Sequence, residues 1–165
     1  MNIEKYSERV RGFIQSAQTM ALSRNHQQFT PEHMLKVLVD DEEGLAASLI
    51  ERSGGRIRDV QTGVEAALNA LPKVEGGNGQ LYLAQPLAKV FSTAEELAKK
   101  AGDSFVTVER LLQALAMEKS AKTADILAKA GVTPQALNAA INDIRKGRTA
   151  DSASAEQGYD ALKKY

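Results

Sequence analysis

The sequence predicts an all-α protein of eight helices, arranged as two four-helix repeats related by a pseudo-twofold axis. Apolar residues make up 43% of its 165 residues but aromatic residues only 5%, which favours slender, closely packed helices. The apolar residues recur at three- and four-residue steps, and no segment shows the period-two alternation of a half-buried strand. The chain also resembles itself, without a gap, at an offset of 77 residues.

The internal repeat extends over both halves of the chain. The offset superimposes residues 30–38 on residues 107–115, and each segment begins with threonine and has glutamate two positions later. Other equivalent pairs are Val10 and Leu87, Ile14 and Phe91, Ala17 and Ala94, Gly54 and Gly131, and Val64 and Ile141. The shared apolar pattern and turn residues, rather than identities, indicate a duplicated four-helix unit.

The first helix of each repeat is predicted over residues 3–23 and 86–101. In the first of these, apolar side chains at helical spacing would form one stripe: Tyr6, Val10, Phe13, Ile14, Ala17, Met20 and Ala21. A strand would scatter the same side chains over both of its faces.

The second helix of each repeat begins after a threonine. The Thr30 hydroxyl can cap free backbone N–H groups, and Pro31 follows where no N–H is needed. Glu32 lies where the helix dipole favours a carboxylate. Thr107 and Glu109 repeat this beginning in the second half.

The last two helices of each repeat are also marked by their ends. The third helix, residues 44–52 and 122–130, stops at Gly54 and Gly131, because glycine readily adopts the left-handed conformation beyond a helix end. The fourth helix is predicted over residues 57–70 and 134–146, with Thr133 as the cap of the latter.

These elements divide the chain into four parts. They are a first repeat over residues 1–71, a connector over 72–82, a second repeat over 83–147 and a flexible linker over 148–165. The connector is rich in turn residues, and the linker is small, polar and without periodicity. A globular protein rarely finishes with a tether, so the linker is expected to lead to a further module.

Composition argues against several classes of function. The 21 basic and 21 acidic side chains cancel, so no long-range field favours nucleic acid or an anionic membrane surface. The absence of cysteine excludes disulfides, thiol catalysis and cysteine-based metal sites. No apolar run approaches the roughly 20 residues of a membrane span, and the polar amino terminus is unlike a signal peptide. A cytoplasmic protein is expected.

Motifs for chemistry are also missing. His26 and His33 are seven residues apart and lack the spacing of a helical metal pair, and residues 40–43 lack the ligand order of a calcium loop. No serine lies in a G-x-S-x-G turn, and the glycines of residues 76–79 are not followed by Lys-Ser or Lys-Thr. No catalytic, cofactor or metal site is therefore expected, and a stand-alone helical enzyme is the alternative of a different class.

A binding surface is expected instead at the seam between the repeats. Most of the apolar stripe side chains must form the core, because short helices bury their faces against one another. The seam, lined by residues such as Tyr6, Phe91 and Leu97, could accept an extended or helical apolar segment of another chain.

The doubled pattern resembles the Clp amino-terminal repeat domain, which precedes the ATPase modules of Clp chaperones. The segments that carry this resemblance are residues 29–35 in one half and residues 102–109 in the other. Within the family, the connector residues 71–76 and the terminal residues 161–165 look like those of the ClpB-type disaggregases. The resemblance covers essentially the whole chain.

The resemblance implies a binding module rather than an enzyme. It implies a mobile domain on each subunit of an ATP-driven homohexamer that cooperates with the DnaK system and engages unfolded or aggregated polypeptides. ATP and magnesium would bind to ATPase modules outside this chain, so no cofactor is expected here. The isolated chain is expected to be a monomer.

The resemblance also implies which residues handle substrate. The family's polar positions fall on Ser7, Asp103 and Glu109, and its apolar groove falls near Phe91, Leu97 and the helix over residues 107–117. Arg110 belongs to this predicted substrate-binding set. Thr93 and Arg110 stand where relatives often carry leucine, which predicts a smaller or more polar groove.

Two other interpretations remain open. An adaptor-docking domain of a Clp protease ATPase, of the ClpA or ClpC type, is the alternative within the family. For the polar residues, the helix dipole accounts for Glu109 and a turn after Gly102 accounts for Asp103 without any function.

Overall fold

The computed structural model describes residues 2–42, 44–76 and 79–157, and within these ranges it is mainly helical. The α-helices are α1 (Glu8–Ser23), α2 (Pro31–Asp40), α3 (Leu45–Arg52), α4 (Ile57–Asn69), α5 (Gln85–Lys100), α6 (Val108–Met117), α7 (Lys122–Lys129) and α8 (Pro134–Arg145). The predicted all-α class of eight helices is confirmed.

The offset of 77 residues recurs in the helix bounds. Helices α1, α2 and α3 begin and end at residues equivalent to those that bound α5, α6 and α7. Helices α4 and α8 begin at equivalent residues, Ile57 and Pro134, and their ends differ by one position. The two halves are therefore copies of one four-helix unit.

The repeats exchange short extended segments. Strand β1 (Gln28–Phe29) pairs in parallel with β2 (Tyr82–Leu83), and an isolated parallel bridge joins Tyr6 to Val106. The two contacts are equivalent under the offset, because Phe29 corresponds to Val106 and Leu83 to Tyr6. Each repeat thus places the segment before its first helix beside the segment before the second helix of the other repeat.

This exchange corrects the predicted start of the first helix. The chain makes a separate 3₁₀ helix over Ile3–Lys5, and Tyr6 is extended rather than helical. The Ser7 side chain caps α1 by accepting a hydrogen bond from the backbone N–H of Val10 at 3.2 Å. Bridge formation by Tyr6 and capping by Ser7 both require extended backbone, so the helix cannot begin earlier.

The predicted glycine ends of the third helices are confirmed. Gly54 and Gly131 have φ values of 89° and 93°, in the left-handed region. The two turns meet each other, since the N–H of Arg56 donates to the carbonyl of Ala130 at 2.9 Å. The predicted cap of α8 is also confirmed, because Thr133 Oγ1 accepts a hydrogen bond from the N–H of Ala136 at 3.1 Å.

A single apolar core runs through both repeats. Helix α6 lies within it and buries every residue from Val108 to Ala116. Its counterpart α2 contacts α1, α4 and also α6 across the junction. The core joins the repeats into one unit, so neither repeat is expected to fold independently of the other.

Residues 148–157 differ from the flexible linker predicted over residues 148–165. They fold back onto the protein, where Ala150 and Glu156 are 0% and 1% exposed. The carbonyl of Ala153 accepts a hydrogen bond from the N–H of Glu8 at 2.8 Å. Isolated alanines and one carboxylate make these contacts, so the sequence of this segment has no periodic apolar pattern that would predict its packing. Residues 158–165 lie outside the described residues.

No helix in the described ranges combines the length and apolarity required to cross a lipid bilayer.

Truncation of core residues tests the joint core. Leu35 and Leu112 are equivalent residues in α2 and α6, and both are fully buried. We expect Leu35→Ala and Leu112→Ala each to lower the free energy of unfolding by about 2–5 kcal/mol, because each leaves a cavity in the shared core. Urea denaturation followed by circular dichroism measures the change, and Leu22→Ala at an exposed position is the control.

Both variants should also keep one cooperative transition. Two separate transitions in either variant would show that the repeats unfold independently and would contradict the joint core.

Candidate functional site

A concave surface with a volume of about 780 Å³ lies between α5 and residues 102–106. We call it the α5 groove. Buried lining residues form its floor: Phe91, Ala98 and Val106. Exposed or half-exposed residues line its mouth: Lys5, Leu83, Ser92, Glu95, Glu96, Lys99 and Phe105.

The composition of the α5 groove suits an apolar segment of another chain. Leu83 is 50% exposed at its mouth, so an apolar side chain is already available to a ligand. The lysines and glutamates at the mouth balance each other, so a client of either charge could approach. A concave surface with an apolar floor and a charged rim is typical of peptide recognition.

The aromatic side chains below the groove are held rigidly. Tyr6 packs edge-on against Phe91 with ring centroids 5.8 Å apart. Its hydroxyl donates to Glu95 Oε2 at 2.6 Å. Burial and the Glu95 carboxylate both raise the pKa of Tyr6, so the hydroxyl stays protonated and keeps donating.

The predicted apolar site residues are only partly brought together. Phe91 lies on the floor of the groove and is 2% exposed. Leu97 is half-buried against the core and does not line the groove, and Thr93 does not line it either. Leu83 and Phe105 were missed. Each is an apolar residue shortly before the start of a helix, outside the apolar stripe of that helix. An apolar residue at such a position is the sequence signal that could have predicted them.

Three of the predicted polar residues, Asp103, Glu109 and Arg110, belong to a buried network, and Asp103 itself lines the groove. The side chain of Asp103 is fully buried and accepts hydrogen bonds from Arg145 at 2.6 Å and from the backbone N–H of Ala150 at 3.0 Å. Arg110 approaches the other oxygen of Asp103 at 3.4 Å. Burial opposes ionisation of Asp103, but these hydrogen bonds and charges together lower its pKa below the ordinary value.

Arg145 connects this carboxylate to a second one. Its guanidinium donates to Glu109 at 2.7 Å and to the Thr107 hydroxyl at 3.0 Å, while that hydroxyl donates to Glu109. Burial and the nearby charge of Arg145 lower the pKa of Arg110. Sequence reasoning missed Arg145, because a basic residue in the last turn of a helix is expected on dipole grounds alone.

Ser7 belongs to the same region. Its hydroxyl donates to Glu156 Oε2 at 2.5 Å, and the backbone N–H of Val108 donates to the same oxygen at 3.1 Å. Burial raises the pKa of Glu156, and the charge of Glu109 adds to the effect. In this conformation Ser7, Asp103, Glu109 and Arg110 are occupied within the protein, and their contact with a client stays a prediction.

The first repeat has an equivalent site built from neutral groups. His26 and His33 occupy the positions equivalent to Asp103 and Arg110, and His26 Nδ1 lies 2.8 Å from His33 Nε2. The backbone N–H of Thr30 donates to His33 Nδ1 at 3.0 Å, which assigns the proton of His33 to Nε2. His33 therefore donates to His26, and both rings are neutral.

Burial keeps these histidines neutral. It lowers the pKa of His26, with the charges of Arg24 and Lys73 acting in the same direction, and lowers the pKa of His33 to about 4. Among the residues that the structure describes, no three His, Cys, Asp or Glu side chains are grouped so as to hold a metal ion.

Comparison with known proteins identifies relatives of the chain. The family model of the Clp repeat (R) N-terminal domain matches residues 5–130. Chaperone protein ClpB of Mesorhizobium japonicum is 90% identical over 165 residues, which are 100% of this chain and 19% of that protein. The chain thus spans about a fifth of the length of this relative.

Solved structures share the fold. The Hsp104 N-terminal domain of Candida albicans matches with a TM-score of 0.80 at 20% identity, covering 92% of this chain and 98% of that one. A complex of the ClpV N-domain with a VipB peptide matches with a TM-score of 0.68 at 16% identity, covering 91% and 92% of the two chains.

The buried network predicts a strong effect of removing Arg145. Arg145→Met should lower the free energy of unfolding by about 3–5 kcal/mol, because Asp103 and Glu109 would keep buried charges without their shared partner. Urea denaturation at neutral pH measures it. Arg52→Met removes an exposed ion pair with Asp143 and should cost about 0–1 kcal/mol. Equal losses in both variants would contradict the network.

The histidine pair predicts destabilisation by acid. The unfolded chain binds a proton at His33 near pH 6.5, whereas the folded chain does so only near pH 4. The free energy of unfolding should therefore fall between pH 6.5 and pH 4, by on the order of 2–3 kcal/mol from this residue. Urea midpoints across this range measure the fall.

His33→Gln is the matched control for the acid effect. Glutamine at this position can still accept the Thr30 N–H as in a capping box, but it does not titrate. The variant should lose the part of the pH dependence that His33 contributes. An unchanged pH profile would show that the pair is not responsible.

Proposed function

Since the chain belongs to the Clp repeat N-terminal domain family, we propose that it is the client-binding domain of a ClpB-type protein disaggregase. In this proposal, the domain captures apolar segments of unfolded or aggregated polypeptides and passes them to the rest of the assembly. The 90% identity to a ClpB chaperone supports this branch of the family over the adaptor-docking alternative.

The observation that carries the proposal is the α5 groove. Its floor is apolar, and Leu83 and Phe105 offer further apolar contacts at its mouth, so it suits an apolar side chain of an extended segment. The peptide complex of a ClpV N-domain, which has the same fold, supports peptide binding by this architecture.

Capture by one domain would be weak and would depend on repetition. A groove of this size buries too little apolar surface for tight binding after the costs of association. In a homohexamer, six tethered copies would raise the effective concentration for a client with several apolar segments. ATP and magnesium would act in further modules, and the homohexamer would cooperate with the DnaK system in the cytoplasm.

Substitution at the mouth of the groove tests the proposal. Leu83→Ser should raise the dissociation constant for reduced, carboxymethylated α-lactalbumin about three- to tenfold, because an exposed apolar contact is lost. Binding is followed by the change in amide chemical shifts of α5 on titration with this unfolded protein.

Tyr82→Ser is the matched control. Tyr82 precedes Leu83 in β2 and is equally exposed, at 50%, but it does not line the groove. Its substitution should leave the dissociation constant unchanged. Equal weakening by both substitutions, or shift changes confined to other surfaces, would contradict client binding in the α5 groove.

A further inference from the structure

Residues 150–157, which we call the C-terminal strap, are hydrogen-bonded to one wall of the α5 groove. That wall is the segment 102–106. The carbonyl of Ala150 accepts hydrogen bonds from the N–H groups of Ser104 at 2.9 Å and Phe105 at 3.3 Å. The N–H of Ala150 in turn donates to Asp103 at 3.0 Å. One buried residue of the strap thus binds three consecutive residues of the wall.

A second anchor lies at Glu156. Its carboxylate accepts hydrogen bonds from the Ser7 side chain, which caps α1, and from the N–H of Val108, the first residue of α6. The amino ends of two helices therefore face one carboxylate, where both helix dipoles favour it. Because Val108 lies only two residues beyond the end of the wall, the second anchor also fixes the wall at its far end.

The strap is attached by few contacts. Asp151, Ser152, Ser154 and Gln157 are exposed. The strap therefore depends chiefly on three alanines and one carboxylate: Ala150, Ala153, Ala155, which packs against the core, and Glu156. The chain enters it after Lys146 and Gly147, both in the left-handed region with φ values of 50° and 86°. A short segment with two anchors and an irregular entry can open locally without unfolding the core.

We propose that the C-terminal strap is a detachable clamp on the wall of the α5 groove. When docked, it holds residues 102–106 in the conformation that forms the groove, and its release loosens that wall and weakens client binding. The expected effect on client binding rests on the proposed function of the groove. Since coupling between two binding events is reciprocal, a client in the groove favours the docked strap.

Hydrogen exchange on the full 165-residue chain tests the clamp without any client. In Glu156→Ala, which loses the second anchor, the amides of Glu8, Ser104 and Phe105 should exchange about tenfold faster or more. Asp151→Asn, at an exposed carboxylate of the same strap, should change nothing. Glu156→Gln can accept the same two hydrogen bonds and should restore protection.

The amide of Leu115 in α6 is the internal reference for global unfolding. The clamp is wrong if Glu156→Ala accelerates exchange of the Leu115 amide as much as exchange of the Ser104 and Phe105 amides. It is also wrong if the Ser104 and Phe105 amides are as protected in Glu156→Ala as in Asp151→Asn. Faster exchange confined to the strap contacts and the wall supports it.

The coupling to clients is measured with reduced, carboxymethylated α-lactalbumin. We expect Glu156→Ala to bind it about three- to tenfold more weakly than Asp151→Asn, and saturation of the wild type to slow exchange at Glu8, which does not line the groove. Equal affinities would overturn the coupling. If no variant, including the wild type, binds this client, the proposed function fails, and the exchange experiment still decides the clamp.

Discussion

The exchange of extended segments between the repeats is the constraint on which the rest of the structure depends. Because Tyr6 pairs with Val106 and Leu83 pairs with Phe29, each repeat is completed by the other. The α5 groove follows from this exchange, since Lys5, Leu83 and Val106 all line it and come from the paired segments. A single four-helix repeat would have neither the pairing nor this groove.

The two repeats share one arrangement of helices but enclose different cavities. In the first repeat, positions equivalent to part of the α5 groove line a cavity of only about 80 Å³: Leu22, Asn25, His26 and Gln27. The connector residues Val74, Gly79 and Gln80 close it there. In the second repeat the chain after the fourth helix runs instead as the C-terminal strap and leaves the groove open. The pseudo-twofold axis therefore relates the helices but not the binding surfaces.

Sequence reasoning recovered the parts of the fold that periodicity and helix ends determine. The offset located the helices of both repeats, and Gly54, Gly131 and Thr133 marked their ends. It did not recover Tyr6 as an extended residue, because its spacing from Val10 also fits a helical stripe. Nor did it recover the strap and Arg145, since their roles arise from contacts across more than thirty residues, such as those with Asp103, which no local pattern encodes.

Comparison of the repeats indicates what the buried ions contribute. Arg145 stands where the first repeat has Leu68, which is fully buried, so the fold itself closes this position with an apolar side chain. Replacing buried ion pairs by apolar residues is often neutral or stabilising, so stability alone does not account for Arg145. Arg145 instead orients the side chain of Asp103, a residue of the groove wall. The Asp103 carboxylate then connects the wall to Arg110 of α6 and to the backbone N–H of Ala150 in the strap. The network therefore connects the wall of the α5 groove to the C-terminal strap.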